Sequence, residues 1–456
     1  MTRNPVSIRV VEGMEAARAI LERRGDFAEP ELAPHVAARC AEVFGESLSA
    51  REVVDRIVGG VRDRGDEAVR EFTVAFDGKA PDSWEVSQTE IDAAWESTPP
   101  DLKEALQTAA GRIRHFHEQQ RRSSWITTEE LGVYGQLVRP LTRVGVYAPA
   151  GTAPLPSTLL MTAVPARVAG VEEIIVCSPP SAGGAVHSII LAAAKVAEVD
   201  RVFAIGGAQA IAAMAYGTES VPHVDKVLGP GNTFVALAKQ RVYGAVDIDQ
   251  IAGPTETLVI ADDTADPVLV AADLLAQSEH GVDSSATLIT TSRDLAGLVE
   301  AQLTIQLADA GFDRSKIAAE SLRLHGLIAI VESLEQAVAL SNAYAPEHLC
   351  LLVANAWDLV PLVKNAGGIF LGEASAEALG DYTAGPSHVM PTGGTARFSS
   401  PINLGDFQKV ISLIGANEKA LEKLGQATSA LARAEGLTGH AMAIERRVNV
   451  ERWGKR

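Results

Sequence analysis

Residues 172–207 read EEIIVCSPPSAGGAVHSIILAAAKVAEVDRVFAIGG, and the order of their apolar runs decides the fold. IIVC and RVFAI are short runs rich in β-branched residues, each closed by Pro or Gly, and SIILAAAKVAEV between them is apolar enough for a helix buried on a sheet. Strand, helix and strand in that order make a βαβ unit, whose strands lie parallel. The plan extends both ways: TRVGVYAP (142–149) and the helical STLLMTAVPARVA precede it, and DKVLGPG (225–231) follows. A second series starts at TETLVIADD (255–263). It continues through SSATLITTS (284–292), GLIAIVES (326–333), HLCLLVAN (348–355) and GGIFLGE (367–373), again with helices between. An α/β protein with two Rossmann-like parallel-sheet domains of similar plan is expected.

Before this region, ELAPHVAARCAEVF, SAREVVDRIVGGVRDRGDEAVREF and DLKEALQTAAGRIRHFHEQQ repeat apolar residues at three and four, which predicts a helical N-terminal region up to about Trp125. After Pro391 the strands are expected to stop. GGTARFSSPINLGDF then leads to two helices, roughly Glu418 to Leu424 and Thr428 to Arg433, and a polar tail suited to reach a partner subunit.

The 456 residues, 47% hydrophobic and 21% charged, are enough for several folded domains. A formal charge of −18, with no block of Lys or Arg, argues against nucleic acid or anionic membrane as partner and favours a small molecule. Cys40, Cys177 and Cys350 are too few and too scattered for a disulfide framework or a Cys-rich zinc site, so a reducing, cytoplasmic setting is expected. The N-terminus lacks the apolar run of a secretory signal, and no stretch of about 18 apolar residues marks a membrane span.

Chemistry-bearing residues gather where elements end. In ADLLAQSEHG (272–281), Gln277 and His280 are three apart and share one helix face, so an amide oxygen and an imidazole nitrogen can converge on one point; a histidine favouring the helix C-terminus is the simpler reading. Asp381 in GDYTAGPSH is either a turn-former or a rigid, partly exposed carboxylate. Glu347 and His348, adjacent at the start of a strand after Pro346, should diverge or straddle a cleft. Such a base pair suits an alcohol oxidation followed by hydration of an aldehyde, and strand-edge polarity explains it equally. Glu435 and His440 lie far from the rest. IGGAQAIAA and GPGNTFVALAK join strand to helix through glycines, compatible with a phosphate at a helix N-terminus, although no GxGxxG is present.

Taken in order, GPGN, DIDQIAGPTETLVIADD, ADLLAQSEHG, NAYAPEHL, GDYTAGPSHVMPTGGTARF and EGLTGHA resemble histidinol dehydrogenases along almost the whole chain. The resemblance implies a cytoplasmic homodimer that oxidises L-histidinol through L-histidinaldehyde to L-histidine with two NAD⁺, the last two steps of histidine biosynthesis. It implies Zn²⁺ held by Gln277, His280, Asp381 and, from the other subunit, His440. Glu347 and His348 fall on the catalytic pair, with His348 as base and Glu347 activating water. Substrate contacts fall on Thr255, His348, His388, Glu435 and the four ligands, and NAD contacts on Tyr147, Gln209 and Asn232. At 255 a Ser is the commoner family residue; Thr keeps the hydroxyl. The implied organisation is an N-terminal segment (1–25), a metal-bearing and catalytic α/β domain (26–140 with 252–400), an NAD-binding domain (141–251) and a C-terminal helical arm (401–456). Relatives that oxidise other small polyols or sulfonated diols keep a second substrate class open. A zinc hydrolase would leave the glycine turns unexplained, and covalent aldehyde oxidation through Cys177, at the end of the strand IIVC, stands against the usual packing role of a cysteine in an apolar strand.

Overall fold

A computed structural model describes residues 7–22, 32–150, 154–181 and 183–448. Continuous apolar runs form strands buried on both faces, as parallel strands require. The first sheet is ordered Glu85–Val86, Arg201–Phe203, Glu173–Cys177, Arg143–Tyr147, Lys226–Leu228, Asp247–Ile248, parallel except for the first strand. The second is ordered Arg9–Glu12, Leu327–Ile330, Ser285–Thr290, Glu256–Ala261, His348–Leu352, Gly368–Leu371, and is parallel throughout. Every strand read from the apolar runs is present, and the α/β class with two parallel sheets holds.

In each sheet the chain steps outward from one strand and then returns to that strand's other side. The reversal falls between Arg143–Tyr147 and Lys226–Leu228 in the first sheet, and between Glu256–Ala261 and His348–Leu352 in the second. Such a switch point leaves a crevice, because the connections diverge to opposite faces.

Two expectations need correction. The chain does return to a strand after Pro391: Gln408–Ala416 pairs antiparallel with Gly132–Pro140, which pairs with Trp125–Glu129. Its residues are mostly exposed on both faces, so no alternation announces it. Helix Glu418–Ala434 runs unbroken in place of the two short helices expected, and a further helix spans Thr438–Val448. Helices Pro34–Phe44, Ala50–Arg64 and Asp66–Asp77 share a core with Tyr147, Ile175, Phe203 and Val227 of the first sheet, whereas the implied organisation groups them with residues 252–400. Strand Arg9–Glu12 joins the second sheet and helix Met14–Leu21 packs on one face of it. The 25/26 boundary and the last eight residues of the tail lie outside the described residues.

Local signals set the helix ends. Ser49 and Glu52, and Ser87 and Glu90, form reciprocal capping boxes, and Asp266 caps the helix Pro267–Ser278 with Pro at its first position. Among the described residues no helix is long and apolar enough to cross a membrane.

The base of the arm is anchored by Phe407, fully buried among Val144, Leu159 and Val389, with its carbonyl accepting from Leu141 N at 2.9 Å. Phe407→Ala should cost about 3–5 kcal/mol of stability through the cavity it leaves, read as a lower urea midpoint by circular dichroism. An unchanged midpoint would show that the arm's root does not depend on this contact.

Candidate active site

A cavity of about 650 Å³ lies between the switch point of the first sheet and the amino ends of the central strands of the second. Pro230, Gly231 and Thr233, at the carboxyl ends of the first sheet's strands, form one wall. Thr255, Glu347 and His348, at the amino ends of the second sheet's strands, form the opposite wall together with His280, Asp381 and His388. A larger cavity of about 1060 Å³ opens beside the edge strand Gly368–Leu371, but Arg122 is its only charged lining residue among those described. The chemistry sits in the smaller one.

Parallel pairing puts Thr257 opposite His348. That register sets the backbone of Glu256 between the two side chains of interest: its N–H donates to Glu347 Oε2 at 3.0 Å, and its carbonyl faces His348 Nδ1 at 3.1 Å. A carbonyl only accepts, so Nδ1 carries the hydrogen and neutral His348 presents a bare Nε2. That Nε2 is buried without a hydrogen-bond partner, 3.5 Å from Asp381 Oδ1 but out of bonding geometry. Glu347 and His348 do not diverge; Nδ1 and Oε2 are 3.7 Å apart.

Thr255 Oγ1 lies 2.6 Å from Glu347 Oε2 and 3.2 Å from Gln277 Oε1. One hydroxyl hydrogen cannot satisfy both oxygens. When Glu347 is protonated it donates to Thr255, which then turns to Gln277. Burial pushes the Glu347 carboxyl up to about 7 against the pull of His348, Thr255 and the Glu256 N–H. Burial lowers the His348 imidazole, but the carboxylates of Glu347, Asp381 and Glu377 outweigh it and raise it to about 10. His388 Nδ1 faces the Asp381 carbonyl at 2.7 Å and its Nε2 faces Thr158 Oγ1 at 3.3 Å; burial lowers its pKa, which keeps it neutral.

Gln277 is buried and His280 is exposed to the cavity. The helix end that carries them is clamped by Arg314, which donates to the carbonyls of Glu279 at 2.8 Å and His280 at 3.3 Å. Sequence reasoning reaches neither Arg314 nor Glu256. A glutamate inside the otherwise apolar TETLVIA run is the available signal for Glu256, while nothing in the sequence ties Arg314 to a helix end 35 residues earlier.

The structure brings together Thr255, Gln277, His280, Glu347, His348, Asp381 and His388. It leaves Glu435 and His440 exposed on the arm, lining neither cavity. Tyr147 and Gln209 are buried behind the first sheet's glycine turns, with the Tyr147 hydroxyl accepting from Gly207 N at 3.0 Å. Asn232 caps the helix Thr233–Val242. Cys177 is fully buried, with its thiol pushed up by burial, so it offers no nucleophile to the cavity.

A family model described as histidinol dehydrogenase matches residues 44–448. The chain belongs to the histidinol dehydrogenase family. A histidinol dehydrogenase of Deinococcus radiodurans is 51% identical over 97% of this chain and 100% of its own length. One of Thermus thermophilus is 52% identical over 88% of this chain and 95% of its own. The crystal structure of histidinol dehydrogenase from Elizabethkingia anophelis superposes with a TM-score of 0.88 at 34% identity, covering 97% of this chain and 98% of that one. As a histidinol dehydrogenase family member the chain is an oxidoreductase of histidine biosynthesis.

Beneath His348 lies a second acidic layer. Glu377, fully buried, accepts from Thr257 Oγ1 and from Cys350 Sγ, the latter at 2.9 Å. Burial, with Glu377 adding repulsion, pushes Asp273 from its ordinary 3.8 up to about 7. Between those values the folded chain keeps a proton that the unfolded chain has released. Asp273 therefore contributes stability in acid that is lost as pH rises toward 7. Asp273→Asn removes the ionisation, so its thermal midpoint should exceed the parent's by more at pH 8 than at pH 5. An advantage that shrinks with rising pH would contradict this assignment.

Proposed function

We propose that the cavity oxidises L-histidinol through L-histidinaldehyde to L-histidine, with NAD⁺ as oxidant and Zn²⁺ as resident ion. The observation that carries the mechanism is the buried, unpartnered Nε2 of His348 beside Glu347. The carboxylates around it raise His348 to about 10, so it serves as a base once a cation at Asp381 offsets part of that charge; with Nδ1 held by the Glu256 carbonyl, Nε2 is then the acceptor. Taking an alcohol to a carboxylate removes two hydrides and adds one water, so the site must serve two successive oxidations. The balance is histidinol, two NAD⁺ and water giving histidine carboxylate, two NADH and three protons.

In the first oxidation His348 Nε2 takes the hydroxyl proton while the carbinol hydride leaves for the nicotinamide. In the second, Glu347, hydrogen-bonded by Thr255 and the Glu256 N–H and pushed up by burial, accepts a proton from the water that attacks the aldehyde. As the water adds, His348 returns its first proton to the aldehyde oxygen, and it then removes the hydrate's hydroxyl proton as the second hydride departs. His388, held by Thr158 and the Asp381 carbonyl, presents a polar edge to the substrate.

Among the described residues of one chain, no three His, Cys, Asp or Glu groups converge as a metal site. His280 and Asp381 line the cavity with the Gln277 amide behind them, a mixed nitrogen and oxygen set that fits zinc once another donor arrives. In this reading Gln277, His280 and Asp381 hold the ion with His440 of the partner subunit. The ion they hold would supply a positive charge that orients the substrate's polar groups and would offset the Asp381 charge acting on His348. A homodimer is supported by the arm, which exposes Ile414 at 75% and Leu431 at 67%, and by Trp357 and Phe398, exposed at 75% and 80%. Glu435 reaches the substrate by the same exchange.

For the dinucleotide, the first sheet's switch point supplies the glycine turns at Gly206–Gly207 and Gly229–Gly231. Tyr147, Gln209 and Asn232 act there by shaping the turns or touching the cofactor. The net charge and a cavity of about 650 Å³ carrying histidines and carboxylates suit a small-molecule substrate rather than nucleic acid or membrane, and the cytoplasm is the compartment this reading assigns.

Purified protein with zinc should yield two NADH per histidine from L-histidinol, followed by absorbance. Turnover of a different alcohol with none of histidinol would overturn the substrate assignment. His440→Ala should lose bound zinc, and metal analysis showing full occupancy would remove His440 from the ligand set.

A further inference from the structure

The turn Gly229–Pro230–Gly231 adjoins the cavity, yet its shape is set from behind by two residues that the chemistry above does not use. Lys239, on the helix Thr233–Val242, and Asp249, just after the strand Asp247–Ile248, form an ion pair with each side chain only 2% exposed. Lys239 Nζ donates to the Gly229 carbonyl at 2.9 Å, and Asp249 Oδ2 accepts from Gly229 N at 2.8 Å. Both backbone polar groups of one glycine are thus held by the two halves of one buried pair. Gly229 itself has φ +107°, and a Cβ there would fall 2.3 Å from the Tyr147 carbonyl, so no other residue can follow this path.

The pair reaches the other wall as well. Asp249 Oδ1 accepts from Gln250 N at 2.6 Å, and Gln250 Nε2 donates to the Met390 carbonyl at 2.7 Å, two residues from His388. Gln250 lines the same cavity. Asp249 therefore sets the glycine turn, while Gln250, next to it, is held to the substrate-side loop by its own bond to Met390.

A buried ion pair is an inefficient source of stability, because desolvation offsets the attraction and apolar residues of similar volume often serve as well or better. What apolar residues cannot do is fix the direction of a particular N–H and C=O. Asn232 already caps the helix, so the pair is not needed for that end either. We propose that Lys239 and Asp249 are a positioning pair for the dinucleotide. They hold the 229–231 turn in the one path that lets a pyrophosphate approach the helix Thr233–Val242, at a fixed spacing from the His348 wall. The inference rests on the reading that NAD⁺ binds at the first sheet's switch point.

The test uses the full-length enzyme loaded with zinc, the double variant Lys239→Met/Asp249→Leu, and the single variant Asp249→Asn. The double variant removes both charges together, so it should unfold within a few degrees of the parent, while its KM for NAD⁺ rises about tenfold or more. Its kcat should stay within about threefold, with KM for histidinol and zinc content unchanged. NADH affinity, titrated by fluorescence without histidinol, should weaken by the same factor as KM for NAD⁺. A purely structural pair would lower the midpoint and leave both cofactor readouts where they were, and that result overturns the inference. If the double variant does not fold, Asp249→Asn, which keeps the size and one acceptor oxygen, separates the same two outcomes through NADH affinity measured in the cold. A parent enzyme that neither binds NADH nor reduces NAD⁺ would instead sink the cofactor reading on which the inference rests.

Discussion

The parallel pairing of Glu256–Ala261 with His348–Leu352 is the constraint on which the site depends. Because Thr257 lies opposite His348, the peptide groups on either side of Glu256 meet Glu347 and His348 with one donor and one acceptor. The same ladder that binds the two strands also fixes the tautomer of the imidazole and the orientation of the carboxylate. A slip of one residue would turn His348 to the other face of the sheet and present Glu347 with a carbonyl in place of an N–H. The apolar residues that follow, Leu349, Cys350, Leu351 and Leu352, are all buried, so the hydrophobic core of the second sheet pins the register that the chemistry uses. Packing and catalysis are set by one geometric fact.

The opposed sheet ends follow from it. Ligands in open α/β sheets usually meet the carboxyl ends of strands, and the first sheet obeys this with its glycine turns. The second sheet instead offers its amino ends, since Thr255, Glu347 and the start of His348–Leu352 all precede the strand bodies. The helix Pro267–Ser278 runs back against its strands, so its carboxyl end, with Gln277 and His280, arrives at the same edge. That end exposes carbonyls, which Arg314 takes up at Glu279 and His280. Facing unlike ends across one cavity puts a dinucleotide-type turn on one side and an acid, base and ligand set on the other.

Much of this is legible in the sequence. Strands buried on both faces leave uninterrupted apolar runs, and the β-branched runs read as strands are strands; Thr255, Glu347 and His348 stand out near their ends because polar groups there interrupt the pattern, whereas Asp381 lies in the short helix Glu377–Tyr382 and not in the turn its surroundings suggest. The third sheet is not legible. Gln408–Ala416 pairs residue for residue with Gly132–Pro140 yet exposes most of its side chains, so neither burial nor alternation marks it. The placement of helices Pro34–Phe44 to Asp66–Asp77 is hidden too, since periodicity shows that a helix has an apolar face without showing which sheet receives it. Lys239 and Asp249 are ten apart in sequence and look like ordinary surface charge; only folding shows them buried around one glycine.

The candidate ligand set shows where a single chain stops. Two ionisable donors and one amide are fewer than a tetrahedral zinc site needs, and the histidine that would complete it is exposed on an arm that leaves its own body. An arm with Ile414 and Leu431 in solvent is poorly satisfied by itself, and in the single chain Asp381 has the His348 imidazole as its cationic neighbour, a role a bound cation would take over. In the proposed dimer each deficit answers the other: the arm's apolar face is covered where its histidine reaches the acids. On that reading the strands can form their register, and the core can close around it, before any metal is present. Assembly then supplies the last donor, so loss of the partner would empty the metal site while leaving Glu347, His348 and the ladder that orients them intact.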